Sequence, residues 1–199
     1  MALRRLQKLW ALEPVSDPDR RRTIATIACA ARLATIALCV VADLALPDHH
    51  AQGVTLFHGD GDSSWVPYWL KQPFTRWDAA HLLGIARDGY RGEMSHAFFP
   101  LYPLVVASTA AVLRADLVLV AVVLSNVSFV AAAVILLELG QSLLADRHLA
   151  FQAATIFCVS PASVFFSSCY TESFFAMLTF AGAPSPCFPS GWLPGWASE

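Results

Sequence analysis

Thr23 to Leu46 reads TIATIACAARLATIALCVVADLAL, a run of 24 residues broken by one arginine and one aspartate. At about 1.5 Å per helical residue it exceeds the roughly 30 Å hydrocarbon thickness of a bilayer, so it can span one. Arg4, Arg5, Lys8, Arg20, Arg21 and Arg22 precede it, and a positive flank of this kind stays cytosolic. A cleaved signal peptide is the competing reading. The length of the run and of its basic lead favour a retained signal-anchor. Arg32 lies inside the run, and the expectation is that its guanidinium snorkels toward the cytosolic face rather than finding a partner in the bundle.

The rest of the chain agrees with a membrane protein. Of 199 residues, 56% are hydrophobic and 14% are charged, with mean hydropathy +0.54; soluble domains carry about 25% charged residues. After Arg91 only Arg114 and Arg147 are positive, too few to cover a water-facing surface. An all-α polytopic membrane protein is expected and a soluble enzyme is excluded. The net charge of -2 offers no basic field for nucleic acid. Five cysteines without CxxC spacing indicate neither a disulfide framework nor a zinc site, and read as small hydrophobes in helix contacts.

The layout divides into a cytosolic basic lead (1–22), a first transmembrane helix (23–46), a luminal loop (47–96), further transmembrane helices (97–183) and an atypical Pro/Gly/Trp-rich tail (184–199). The loop mixes acids, bases and histidines with the turn-rich string His58-Gly59-Asp60-Gly61-Asp62-Ser63-Ser64 and cannot cross a bilayer. Within it, Trp65 to Leu70 and Trp77 to Ile85 have the composition of short interfacial amphipathic helices. Apolar runs follow at Ala97 to Leu113, Leu117 to Leu139 and Leu149 to Phe166. Each is long enough to span, with Pro100, Pro103 and Pro161 bending or ending helices. Ser173 to Ala183 is a stub. The abrupt change at the tail reads as the front part of a larger protein.

Two segments carry the chemistry. In the first, Arg76-Trp77-Asp78-Ala79-Ala80-His81, Asp78 and His81 stand i and i+3 on a helix, so a carboxylate and an imidazole share a face and can converge on one hydroxyl. Trp77 suits an interfacial anchor. In the second, Ser160-Pro161-Ala162-Ser163-Val164-Phe165-Phe166 followed by Tyr170-Thr171-Glu172-Ser173, a proline break and a carboxylate end an apolar run. Discontinuous membrane helices commonly line sites; an ordinary helix-turn-helix capped by Thr171 or Ser173 is the plainer reading. Asp60-Gly61-Asp62 matches the DxD pattern of metal-dependent glycosyltransferases, but turn chemistry accounts for it better. His49, His50 and His58 lack ligand spacing, so no metal is expected.

Together these strings resemble the WD-x-x-H, IA-x-x-GY, FFPLYP and SPAS-x-FF-x-x-x-YTES-x-F motifs of the PIG-V-type GPI mannosyltransferase family, across roughly Arg76 to Thr179. The resemblance implies a GT-C-like multi-span helical bundle in the endoplasmic reticulum membrane. It also implies transfer of the second mannose, in α-1,6 linkage, from dolichyl phosphate mannose to a GPI precursor. Asp78 would be the catalytic base, with His81 and Glu172 in support. Arg76, Arg87 or Arg91 would meet the donor phosphate, and Trp77, Tyr90 and Tyr170 would complete substrate binding. No cofactor is implied beyond the lipid-linked donor, and an accessory membrane subunit is allowed for as a further partner. The alternative is a truncated, noncatalytic membrane isoform; a channel or transporter is disfavoured because neither pore-lining charges nor inverted repeats are present.

One expectation conflicts with itself. If all three later runs cross once, luminal Asp78 and the Tyr170 to Ser173 cluster fall on opposite faces. Either one run is re-entrant, with the proline-bearing Ala97 to Leu113 stretch the candidate, or Glu172 has no catalytic role.

Overall fold

A computed structural model describes residues 17–46, 67–91, 93–144 and 146–183. Arg4, Arg5, Lys8, the loop histidines His49, His50 and His58, the Asp60-Gly61-Asp62 string and the 184–199 tail lie outside the described residues. Among the described residues the secondary structure is helical throughout, with no strand.

Helix α1 (Pro18–Ala45) begins ahead of the apolar run, because Asp17 accepts the Asp19 and Arg20 amides at 3.2 Å and Pro18 takes the first position, where its missing N–H costs nothing. Arg20, Arg21 and Arg22 therefore belong to the helix rather than to the lead. A one-turn helix, Tyr68–Lys71, and a 3-10 turn, Gln72–Phe74, lead to α2 (Asp78–Asp88), the expected interfacial helix, which buries Ala79, Ala80, Leu82, Leu83 and Ile85. Then come α3 (Leu101–Leu113), α4 (Leu117–Leu143), α5 (Arg147–Val159) and α6 (Glu172–Gly182). By length and composition, α1 and α4 are the two described helices able to cross a membrane, at about 42 and 40 Å. The Leu149 to Phe166 run does not span as one helix: it stops at Val159, before Ser160-Pro161.

Ion pairs mark the two ends of the bundle. At one end Arg21 meets Glu138 at 2.9 Å and Arg20 donates to the Arg147 carbonyl at 3.0 Å. At the other, Arg76 pairs with Asp43, and Lys71 with Asp116 at 3.2 Å. So α1 and α4 run antiparallel. Helix α3 runs beside only part of α4. Its last turn joins Asp116 through two residues, while Tyr102 in its first turn bonds Ser125 at 3.0 Å, nine residues on from Asp116. Both flanks of α3 thus lie on the Asp116 half of α4.

Helices α5 and α6 form a broken pair. α5 starts at the Arg20 end, and Phe157 near its far end stacks on Phe129 in mid-α4 at 4.9 Å. Segment 160–171, a 3-10 turn at Pro161–Val164 followed by turns and bends, completes the rise: the Cys169 amide donates to the Phe74 carbonyl at 3.2 Å, and the Tyr170 hydroxyl to the Arg76 carbonyl at 3.1 Å. α6 then returns alongside α4, bringing Phe180 to 5.8 Å from Phe157. Irregular backbone at membrane depth must be satisfied by protein. Ser125 donates to the Tyr170 carbonyl, Asn126 to that of Ser167 and Ser173 to that of Phe166. Small residues let the helices approach closely, as at Gly140, where a Cβ would stand 3.1 Å from that of Ala150.

Candidate active site

The turn into α2 is strained. Trp77 has φ 52°, ψ -123°, a left-handed backbone at a bulky residue, and its indole is 73% exposed. This turn starts the helix at Asp78, whose carboxylate gains from the helix dipole in the first turn. Asp78 opens into a cavity of about 630 Å³ at the Asp43 and Asp116 end of the bundle. Tyr170 and Glu172, more than ninety residues along the chain, line the same cavity.

The conflict over topology disappears here. Because α3 keeps to the Asp116 half of α4 and α5 breaks at Pro161, the Tyr170 to Ser173 cluster reaches the same end as Asp78. The rest of the wall is apolar and aromatic: Phe98, Phe99 and Tyr102 from around the start of α3, and Phe174, Phe175 and Leu178 from α6. These residues were not singled out from the sequence, although all but Leu178 sit inside the FFPLYP and YTES-x-F strings.

The electrostatics couple the two carboxylates. Desolvation by the cavity wall raises the Glu172 carboxyl above the usual range, and the negative charge of Asp78 adds to the rise. Tyr170 is pushed up to about 12, by burial first and then by Asp78 and Glu172. A raised folded-state value means that ionising Glu172 opposes folding at neutral pH, whereas below the ordinary glutamate range, about pH 4, both states are protonated and the effect vanishes. Because Glu172 is exposed at the cavity mouth, solvent screens much of this effect, and Glu172→Gln is expected to melt slightly higher than the parent at pH 7.5 and together with it at pH 4 in detergent micelles. A variant that melts lower at pH 7.5 would show that the charge is welcomed there.

The other candidate residues have different surroundings. His81 is exposed and stacks on Phe98 at 5.2 Å, behind the cavity wall rather than in it. Arg76 is engaged by Asp43, and its carbonyl holds Tyr170. Arg87 and Arg91 flank Asp88 at 3.0 and 3.9 Å, and Tyr90 donates to the Phe98 carbonyl at 2.8 Å while stacking on His96. Arg87, Tyr90 and Arg91 thus gather at the far end of α2 and are not among the residues that line the cavity, although Tyr90 holds the Phe98 carbonyl in its wall.

A family model described as mannosyltransferase (PIG-V) matches residues 21–186. The chain belongs to that family. The matched span takes in α1, the strained turn at Trp77 and the whole broken pair. Among curated relatives, the rat GPI alpha-1,6-mannosyltransferase 2 is 35% identical over 190 residues, covering 90% of this chain and 38% of its own length. The human protein of that name is 34% identical over 176 residues, covering 83% and 36%. The GPI mannosyltransferase 2 of Drosophila melanogaster is 33% identical over 166 residues, covering 77% and 37%. The chain of this PIG-V family member thus spans under two-fifths of the length of these relatives. No solved structure matches it.

Proposed function

We propose that the chain forms the acid-bearing part of a GPI α-1,6-mannosyltransferase, which moves a mannose from dolichyl phosphate mannose to a GPI precursor at the endoplasmic reticulum membrane. The observation that carries this reading is the meeting of Asp78 and Glu172, from two distant motifs, in one aromatic-walled cavity at one end of the bundle. A lipid-linked donor and a lipid acceptor both present a polar head beside acyl or isoprenoid chain, and a cavity with carboxylates above an apolar wall suits that pairing.

In the proposed step Asp78 takes the proton of the acceptor 6-hydroxyl as that oxygen bonds to the anomeric carbon. The bond from the same carbon to the phosphate oxygen breaks, and dolichyl phosphate leaves with the electron pair. Glu172, which holds a proton more readily than a free glutamate, suits the complementary role of donating a hydrogen bond to a sugar or phosphate oxygen. The multi-pass topology, with the Asp78 end luminal, and an accessory membrane subunit belong to the same proposal.

The test is restoration of surface GPI-anchored protein in cells lacking the second GPI mannosyltransferase. The chain is expressed alone and as a chimera carrying the remaining length of the rat relative. Rescue by the chimera is expected. A chimera that reaches the membrane in full amount yet restores nothing would overturn the assignment.

A further inference from the structure

Arg32 stands halfway along α1 and is 2% exposed. Its side chain does not snorkel. Nη1 donates to the Ser163 carbonyl and, at 3.1 Å, to the Ser167 hydroxyl, while the guanidinium lies 3.9 Å over the Phe129 ring. Ser167 donates onward to Asn126 Oδ1 at 3.0 Å, and Asn126 Nδ2 returns a bond to the Ser167 carbonyl at 3.4 Å. Nε and Nη2 find no partner among the described residues.

A buried guanidinium with two unused donors is a poor device for stability, since an apolar side chain of similar volume would serve as well or better. A charge inside a membrane helix calls for a functional explanation, with its partner named. Both hydrogen-bond partners of Arg32 lie on segment 160–171, a single 3-10 turn (Pro161–Val164) followed by turns and bends, whose short i to i−3 bonds hold it locally but do not fix it against the long helices. That segment ends in Tyr170 and Glu172, the residues it delivers to the Asp78 cavity. Ser125 and the Phe74 carbonyl fasten its upper part; Arg32 and Asn126 fasten its lower part.

We propose that Arg32 is a positioning residue: it clamps the segment between α5 and α6 and thereby sets Tyr170 and Glu172 against Asp78. The catalytic meaning of this clamp rests on the proposed transfer function, whereas the clamp itself is readable without turnover. Hydrogen exchange of the whole chain in detergent micelles therefore comes first. Arg32→Met keeps an unbranched stem and removes the donors, so exchange of the 160–171 amides should quicken about tenfold, as for loss of a charge-assisted hydrogen bond to a locally opening segment. Amides of α4 should stay as in the parent. Arg32→Lys, which retains a charged donor, should return most of the protection.

Unchanged exchange at 160–171 in Arg32→Met would overturn the proposal, and so would equal acceleration in α4, which marks general destabilisation. In the chimera the same substitution should lower kcat by about a hundredfold, as for a small misplacement of reacting groups, with KM little changed. A raised KM at parental kcat would refute positioning of the reacting groups. If no chimera transfers mannose while the exchange pattern holds, the transfer function fails and the clamp stands.

Discussion

Asp78→Asn in the chimera is expected to lower mannose transfer by about 10²- to 10⁴-fold, the usual contribution of a general base, with the protein reaching membranes in undiminished amount. The substitution keeps the shape of a side chain that is exposed at the head of α2 and replaces a carboxylate able to take the acceptor proton with an amide that is too weakly basic to do so. The cost to folding is confined to a first-turn dipole interaction of about 0.3–1 kcal/mol. Transfer is measured with the lipid-linked donor in isolated membranes. Gln152→Ala serves as the reference, because Gln152 is exposed on α5 and bonds only His148 among its recorded partners. Transfer by Asp78→Asn within about twofold of the parent would place the base elsewhere.

The largest effect on stability is expected at Asp116. Its carboxylate accepts the Leu119 amide at 2.9 Å as the cap of α4 and pairs with Lys71 at 3.2 Å, with the two side chains only 7% and 9% exposed. Asp116→Ala takes this carboxylate from a buried ammonium and loses a cap worth about 1 kcal/mol, so a loss of at least about 1 kcal/mol is expected. Thermal unfolding in detergent should show the loss directly. The double variant Lys71→Met with Asp116→Leu should recover most of it, since replacing both charges leaves neither uncompensated. A loss under about 1 kcal/mol would mean the pair is screened like a surface bridge. By composition Lys71 is one more charge in a polar loop, yet the structure makes it part of the joint between that loop and α4, so Lys71→Gln is no neutral substitution.

Where pattern and chemistry are local, the sequence is a good guide. The apolar composition of Thr23 to Leu46 and Leu117 to Leu139 decides that these residues form the two long helices, because only helices satisfy their own backbone in lipid. The amphipathic pattern after Trp77 similarly yields α2, and Pro161 breaks the third run where ring sterics require. Asp78 and Glu172 are visible as carboxylates beside aromatic motifs.

Helix depth is another matter. Ala97 to Leu113 and Leu149 to Phe166 have span-like composition, but where each lies along α4 is set by contacts, Tyr102 on Ser125 for the first and Phe157 on Phe129 for the second. Both outcomes depend on side chains more than twenty residues away, which no window of sequence contains. Arg32 shows the same limit: an arginine near a cytosolic flank looks free to snorkel, until acceptors on a segment 131 residues later take its donors inside the bundle. His81 shows it for the site, since its helical spacing from Asp78 is right yet Phe98 draws the ring aside.

By itself, the sequence determined a helical membrane chain, the long apolar helices and the two acid-bearing motifs, because composition, periodicity and proline act over a few residues. Only the tertiary structure decided that those motifs meet. Their meeting requires an α3 that keeps to one half of α4, an α5–α6 pair placed against α4 and buried polar groups to satisfy the backbone between them, and that placement is settled by contacts across the bundle.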